Sequence, residues 1–136
     1  MKTKINLQER DKFVIKTTGI RYPKLEDVEK GDYDIFSFEG LDYKTAKKAV
    51  DKGWLDPKET QNSSPSVGEI MDFIKENPSF VAHGYVVTPA RPDTRISFEG
   101  VIAVKKPSTK EYNAYIDTFR QADEFDNAWP FRAWYD

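Results

Sequence analysis

Apolar positions along this chain repeat with two periods, and the switch between them outlines the fold. In 67–77, Val67, Ile70, Met71 and Ile74 recur at helical spacing, behind Ser66 and Glu69 in the pattern of a reciprocal N-terminal cap. The spacing predicts a helix that Asn77 and Pro78 stop. In 109–122, Ser108 and Glu111 repeat the start signal, and Tyr112, Tyr115, Ile116 and Phe119 form an aromatic stripe. A third helix is predicted over 42–52, with Asp42 as N-cap, a narrow stripe of Ala46, Ala49 and Val50, and Gly53 suited to the left-handed end position. Trp54 and Leu55 should pack just beyond it.

Elsewhere the period is two or the run is continuously β-rich. The segments 80–88 and 95–104 predict a hairpin, joined by Pro89-Ala-Arg-Pro-Asp-Thr94. Asp32 to Gly40 predicts a strand with Phe36 and Phe38 on one face and Ile35 on the other. Lys12 to Thr18, β-branched and aromatic and followed by Gly19, predicts a further strand, with 2–8 as a possible pairing partner. Leu25 and Val28 suit one helical turn closed by Gly31, and the last residues suit a strand tying the C-terminus into the sheet. The run 56–65 is polar and rich in breakers, as a surface loop should be. These elements sum to one α+β domain over 1–136: a mainly antiparallel sheet of about five strands covered by about three amphipathic helices.

Composition narrows the chemistry more than the fold. The chain has no Cys and one His, His83, so the residue types behind most metal sites and activated nucleophiles are scarce. The net charge of −2 is too small to steer the whole molecule to nucleic acid, which leaves only a local basic patch for such contacts. No apolar run approaches the length of a membrane span, the start lacks a secretory stretch, and the lack of Cys suits a reducing compartment, so a cytoplasmic setting is expected. No Walker sequence, nucleophile elbow or dinucleotide fingerprint is present, and no cofactor or metal is expected.

Four constellations remain. His83 should share a strand face with Val81, Tyr85 and Val87, beside Gly84; a buried histidine satisfied by one hydrogen bond is the ordinary outcome, and a general base the rarer one. Glu39 and Glu99 could work as paired carboxylates, and Asp123, Glu124 and Asp126 cluster without the spacing of a calcium loop. Lys44, Lys47, Lys48 and Lys52 share one face of the 42–52 helix, while Arg91 and Arg95 flank the hairpin loop; such cations could meet phosphates, though a solvated face looks the same. Trp129, Phe131, Trp134 and Tyr135 crowd the C-terminus, as core or as a contact surface.

Ser-Phe-Glu-Gly occurs at 37–40 and again at 97–100; nothing else aligns with it, so chance repetition is preferred to duplication. The C-terminal half resembles small bacterial proteins, a likeness that carries no activity. The expected function is therefore a non-enzymatic cytoplasmic protein that binds another macromolecule, most readily a protein. Trp129, Trp134, Tyr135, Lys44, Lys48, Arg91 and Arg95 are the candidate contacts. The alternative is a small metal-independent hydrolase or isomerase using His83 or a carboxylate pair such as Glu99 provides. An inhibitor of a host enzyme carried by a phage or mobile element is a third, weaker possibility.

Overall fold

A computed structural model describes residues 5–136, in the order α1 (Glu9–Thr18), α2 (Leu25–Lys30), β1 (Ile35–Leu41), α3 (Tyr43–Asp51), α4 (Val67–Glu76), β2 (Phe80–Val87), β3 (Arg95–Ala103), α5 (Thr109–Phe119), β4 (Glu124–Phe125) and β5 (Ala133–Trp134). The five strands form one antiparallel sheet ordered β1-β2-β3-β5-β4. The chain is thus an α+β protein.

Local signals placed the starts of α3, α4 and α5 well. Ser66 and Ser108 each accept from the backbone of the glutamate three residues on, and each glutamate returns the bond, closing two capping boxes. The Asp42 carboxylate accepts from Thr45 N–H at 2.8 Å at the head of α3. Gly31 and Gly53 follow their helices with φ of 86° and 78°. α5 stops at Phe119, with the last residue of the stripe and short of the 122 expected.

The strand expected over 12–18 is corrected: these residues belong to α1. Val14 is fully buried in the core, Arg10 and Asp11 bury beside it one turn back, and the Thr17 and Thr18 hydroxyls donate to the carbonyls of Phe13 and Val14. Packing of one face against the sheet outweighs the β-preference of a short β-branched run. Gly19 ends a helix, with its N–H on the Ile15 carbonyl. Of the partner proposed at 2–8, residues 2–4 lie outside the described residues, and 5–8 form no strand. Instead Ile5 N–H donates to the Glu29 carbonyl.

Paired residues in an antiparallel sheet share a face. Phe36, Val86 and Ile96 line up on one side, then Phe38, Gly84 and Phe98, then Ala82, Val101 and Ala133. They join Val14, Val28, Ala46, Ala49, Ile70, Phe73, Ile74, Tyr115 and Phe119 from all five helices in one core. The opposite face carries Ser37, Tyr85 and Ser97, then Glu39, His83, Gly100 and Trp134. The 56–65 loop is pinned to the sheet, because Ser97 donates to Glu59 and Tyr85 donates to Gln61.

The repeated tetrapeptides lie on β1 and β3, either side of β2. Ser37 and Ser97 both oppose Tyr85, and Phe38 and Phe98 both oppose Gly84. The register then shifts on each strand, next to Gly40 and Gly100, whose φ values are 134° and 158°. The repeated residues thus hold matching register positions on the two sides of β2.

Candidate functional site

The second face of the sheet brings together residues from three of the four constellations. His83 sits in mid-sheet, opposite Glu39 on β1 and Gly100 on β3, with Trp134 on the strand beyond. Its ring is 1% exposed, and Nε2 lies 2.9 Å from the Ala133 carbonyl, which it meets as the N–H donor. Burial pushes the imidazole down to about 3, further than the bond to Ala133 can offset, and the nearby guanidinium groups of Arg132 and Arg21 push the same way. A neutral ring committed to a backbone carbonyl is a pin between β2 and β5.

The carboxylates around it are committed as well. Glu39 pairs with Arg21 at 3.2 Å, and Glu99 accepts from the Trp134 indole at 2.8 Å. Among the described residues neither carboxylate bonds the imidazole. The Arg132 guanidinium lies over the Trp134 ring, 5.1 Å from its centre, with Glu124 3.8 Å away. Asp123 accepts from the Asp136 backbone. Among the described residues no group of three or more His, Asp or Glu side chains is placed to hold a metal ion.

The basic candidates divide. Arg91 and Arg95 both bind Asp93, at 2.7 and 3.0 Å, so the hairpin loop is largely self-neutralised. The Arg95 guanidinium also donates to Ser97 Oγ and Tyr85 Oη, joining the bonds that hold the 56–65 loop. Lys44 and Lys48 are exposed on α3, while Lys47 pairs with Asp51 and Lys52 caps the Trp54 ring. Trp54 packs on Phe13 of α1.

The aromatic C-terminus also divides. Tyr135 is buried in the core against Phe119, so its assignment as a contact residue is corrected: β5 alternates, and Ala133 and Tyr135 point to the helices. Trp134 faces the other side and is half-buried. Trp129 is 59% exposed.

Trp129 stands at the edge of a cleft of about 210 Å³ lined by Lys106, Pro107, Ser108, Thr109, Tyr112 and Phe131. Its ring meets Phe131 edge-on at 6.4 Å, and Phe131 meets Tyr112 at 5.7 Å. Ala103 N–H donates to the Pro130 carbonyl at 3.0 Å, which sets the Trp129 loop beside the end of β3, where Val104 is 57% exposed. Phe131 holds φ at +53°, uncommon for a bulky residue, with its N–H on the Ala128 carbonyl at 2.7 Å. Sequence reasoning missed Val104, Pro107 and Tyr112 as surface-site residues. The legible signal was Lys105-Lys106-Pro107, a cationic and apolar stretch between a strand end and a helix cap, followed by a tyrosine at the head of the aromatic stripe.

Among the described residues Tyr22, Leu25 and Tyr33 are the other exposed large apolar side chains; the two tyrosines stand edge-on at 6.2 Å beside a cleft of about 640 Å³. A third cleft, of about 370 Å³, lies between the start of α4 and the end of α5 and is lined by Glu69, Asp117, Arg120, Gln121 and Tyr135 among others. His83 lines none of these clefts. Comparison of the chain with protein-family models, curated proteins and solved structures finds no match.

Proposed function

We propose that this chain is a non-enzymatic binding protein that docks a partner protein through the surface centred on Trp129. The exposure of Trp129 beside an apolar cleft is the observation that carries this. Tryptophan is among the residue types that dominate interface energetics, because a large rigid ring gives much contact area for little lost freedom. Val104 extends the apolar surface, and Phe131, partly buried against the core beside Tyr115 with its φ at +53°, anchors the loop that presents Trp129.

The hydrolase or isomerase alternative, resting on His83 and Glu99, lacks a comparable support, since a general base must reach a bound substrate and this imidazole is enclosed. Such a binding protein would work in the cytoplasm of a bacterium, a setting that the absence of Cys supports. Among the described residues no helix is long and apolar enough to cross a membrane.

Affinity purification from native cytosol with the unaltered chain and with Trp129→Ala provides the test. A protein recovered by the first and lost by the second bears the proposal out. Equal recovery by both overturns it.

A further inference from the structure

Charge around the Trp129 surface narrows the partner's chemistry, an inference that rests on the docking role just proposed. Lys105, Lys106 and Lys110 are all exposed. None of the three takes part in an ion pair among the described residues. The single acid between Val104 and Tyr112 is Glu111, and its carboxylate is already occupied. Ser108 N–H, Ser79 N–H and Ser79 Oγ donate to it at 3.0, 2.9 and 2.8 Å. Burial works upward on that carboxyl, yet these bonds outweigh it and hold it below its ordinary range. That carboxylate stays ionised, but it is turned to the α5 cap and the start of β2 and forms no ion pair with the three lysines.

The cleft between Pro107, Tyr112 and Phe131 measures about 210 Å³, below the roughly 300 Å³ at which small-molecule sites begin. That volume suits one inserted side chain rather than a whole ligand. Three lysines outside any ion pair among the described residues, beside a slot of this size, complement a peptide that carries an apolar side chain among carboxylates.

We infer that the partner presents an acidic linear segment whose central apolar or aromatic side chain enters the Pro107/Tyr112/Phe131 slot beside Trp129, while its flanking carboxylates meet Lys105, Lys106 and Lys110. Cations at the rim of an apolar anchor speed association and exclude basic competitors more than they add affinity. Binding should therefore weaken as salt rises.

The test is a titration of the full chain, followed by backbone and indole NMR signals. The probes are synthetic peptides of about nine residues: alternating Asp and Glu around a central Phe, the same peptide with Ser at the centre, and the same with Lys for every acid. A thymidine oligonucleotide of similar length is the fourth probe. The acidic Phe peptide should move the signals of Lys106, Tyr112 and the Trp129 indole, the Ser peptide should bind several-fold more weakly, and the Lys peptide should leave them still. Lys105→Glu, Lys106→Glu and Lys110→Glu together should weaken the acidic peptide by about tenfold or more, equivalent to about 1.4 kcal/mol. The triple Gln variant should give a smaller loss in the same direction.

Equal binding of both peptide charges overturns the inference. So does stronger binding of the oligonucleotide at these signals, or a concentration-dependent shift of them without any probe, which would mark a second copy of the chain as the occupant. If the native partner is lost by Trp129→Ala but keeps its affinity for the triple Glu variant, the acidic class falls and the docking role stands. If Trp129→Ala changes nothing, both fall.

Discussion

Phe38 and Phe98 meet edge-on over Gly84, with ring centres 6.2 Å apart and planes at 67°. They come from strands that are not neighbours, and they touch because the residue between them has no side chain. A Cβ built on Gly84 would lie 1.9 Å from the Ser97 carbonyl oxygen, so backbone would have to move.

Gly84→Ala should therefore destabilise the protein by about 3 kcal/mol or more, at the upper end of overpacking effects. Gly53→Ala is the comparison: its φ of 78° disfavours a side chain, but the space around it is open. That change should cost about 1 kcal/mol. Urea midpoints of the two variants check the order, and a smaller loss for Gly84→Ala would refute the close approach.

His83 gives the protein a pH dependence of definite sign. Its folded pKa, about 3, lies below its ordinary value of 6.5, so between these values the unfolded chain binds a proton that the folded chain refuses. The stabilisation is complete above pH 6.5 and is lost as pH falls toward 3. The slope in that window should approach one proton, about 1.4 kcal/mol per pH unit. His83→Gln should flatten the unfolding free energy between pH 6 and 4 by about one proton relative to the unaltered chain. An unchanged slope would mean that the imidazole is not held neutral.

Arg10 and Asp11 form an ion pair at 2.6 Å, buried to within a few per cent on both side chains. The Arg10 guanidinium also donates to the Val87 carbonyl and Thr94 Oγ, at 3.0 and 2.8 Å, which ties α1 to the hairpin. Burial raises the Asp11 carboxyl despite the cation, and among the described residues its Oδ2 has no hydrogen-bond partner. Arg10→Met should cost about 3 to 5 kcal/mol, because it strands a buried charge. The double change Arg10→Met with Asp11→Leu should recover much of that loss in the same urea assay. A double variant as weak as the single one would show that the bonds to Val87 and Thr94 matter more than the charge.

The two tryptophans near the C-terminus should separate binding from stability. Trp129→Ala removes an exposed ring and should change stability by no more than about 0.5 kcal/mol. Trp134→Ala loses the bond to Glu99 and the Arg132 contact, and should cost about 2 kcal/mol. Thermal unfolding of both checks the contrast, and equal losses would refute the division of roles.

Much of the fold was legible because its signals are local. Capping boxes at Ser66 and Ser108, the Asp42 cap, the helical stripes and the β-rich runs of the hairpin each act within a few residues, so their meaning survives without tertiary contacts. The Lys12–Thr18 stretch was the exception, since its β-branched residues argue one way and the helical face that Val14 shares with buried Arg10 and Asp11 another. The site was less legible. Tyr112 and Tyr115 sit in one stripe, but Tyr115 is fully buried against Phe80 while Tyr112 faces the slot.

By itself the sequence determined the α+β class, the places where its three capped helices begin, and the scarcity of reactive side chains. Only the tertiary structure decided that β5 pairs with β3, and with it that Tyr135 turns inward and Trp134 outward while Trp129 stands free. The physical reason is range. Caps and periodicity are settled by neighbours along the chain, whereas the burial of a ring depends on which distant strand lies beside it, and no local pattern carries that information.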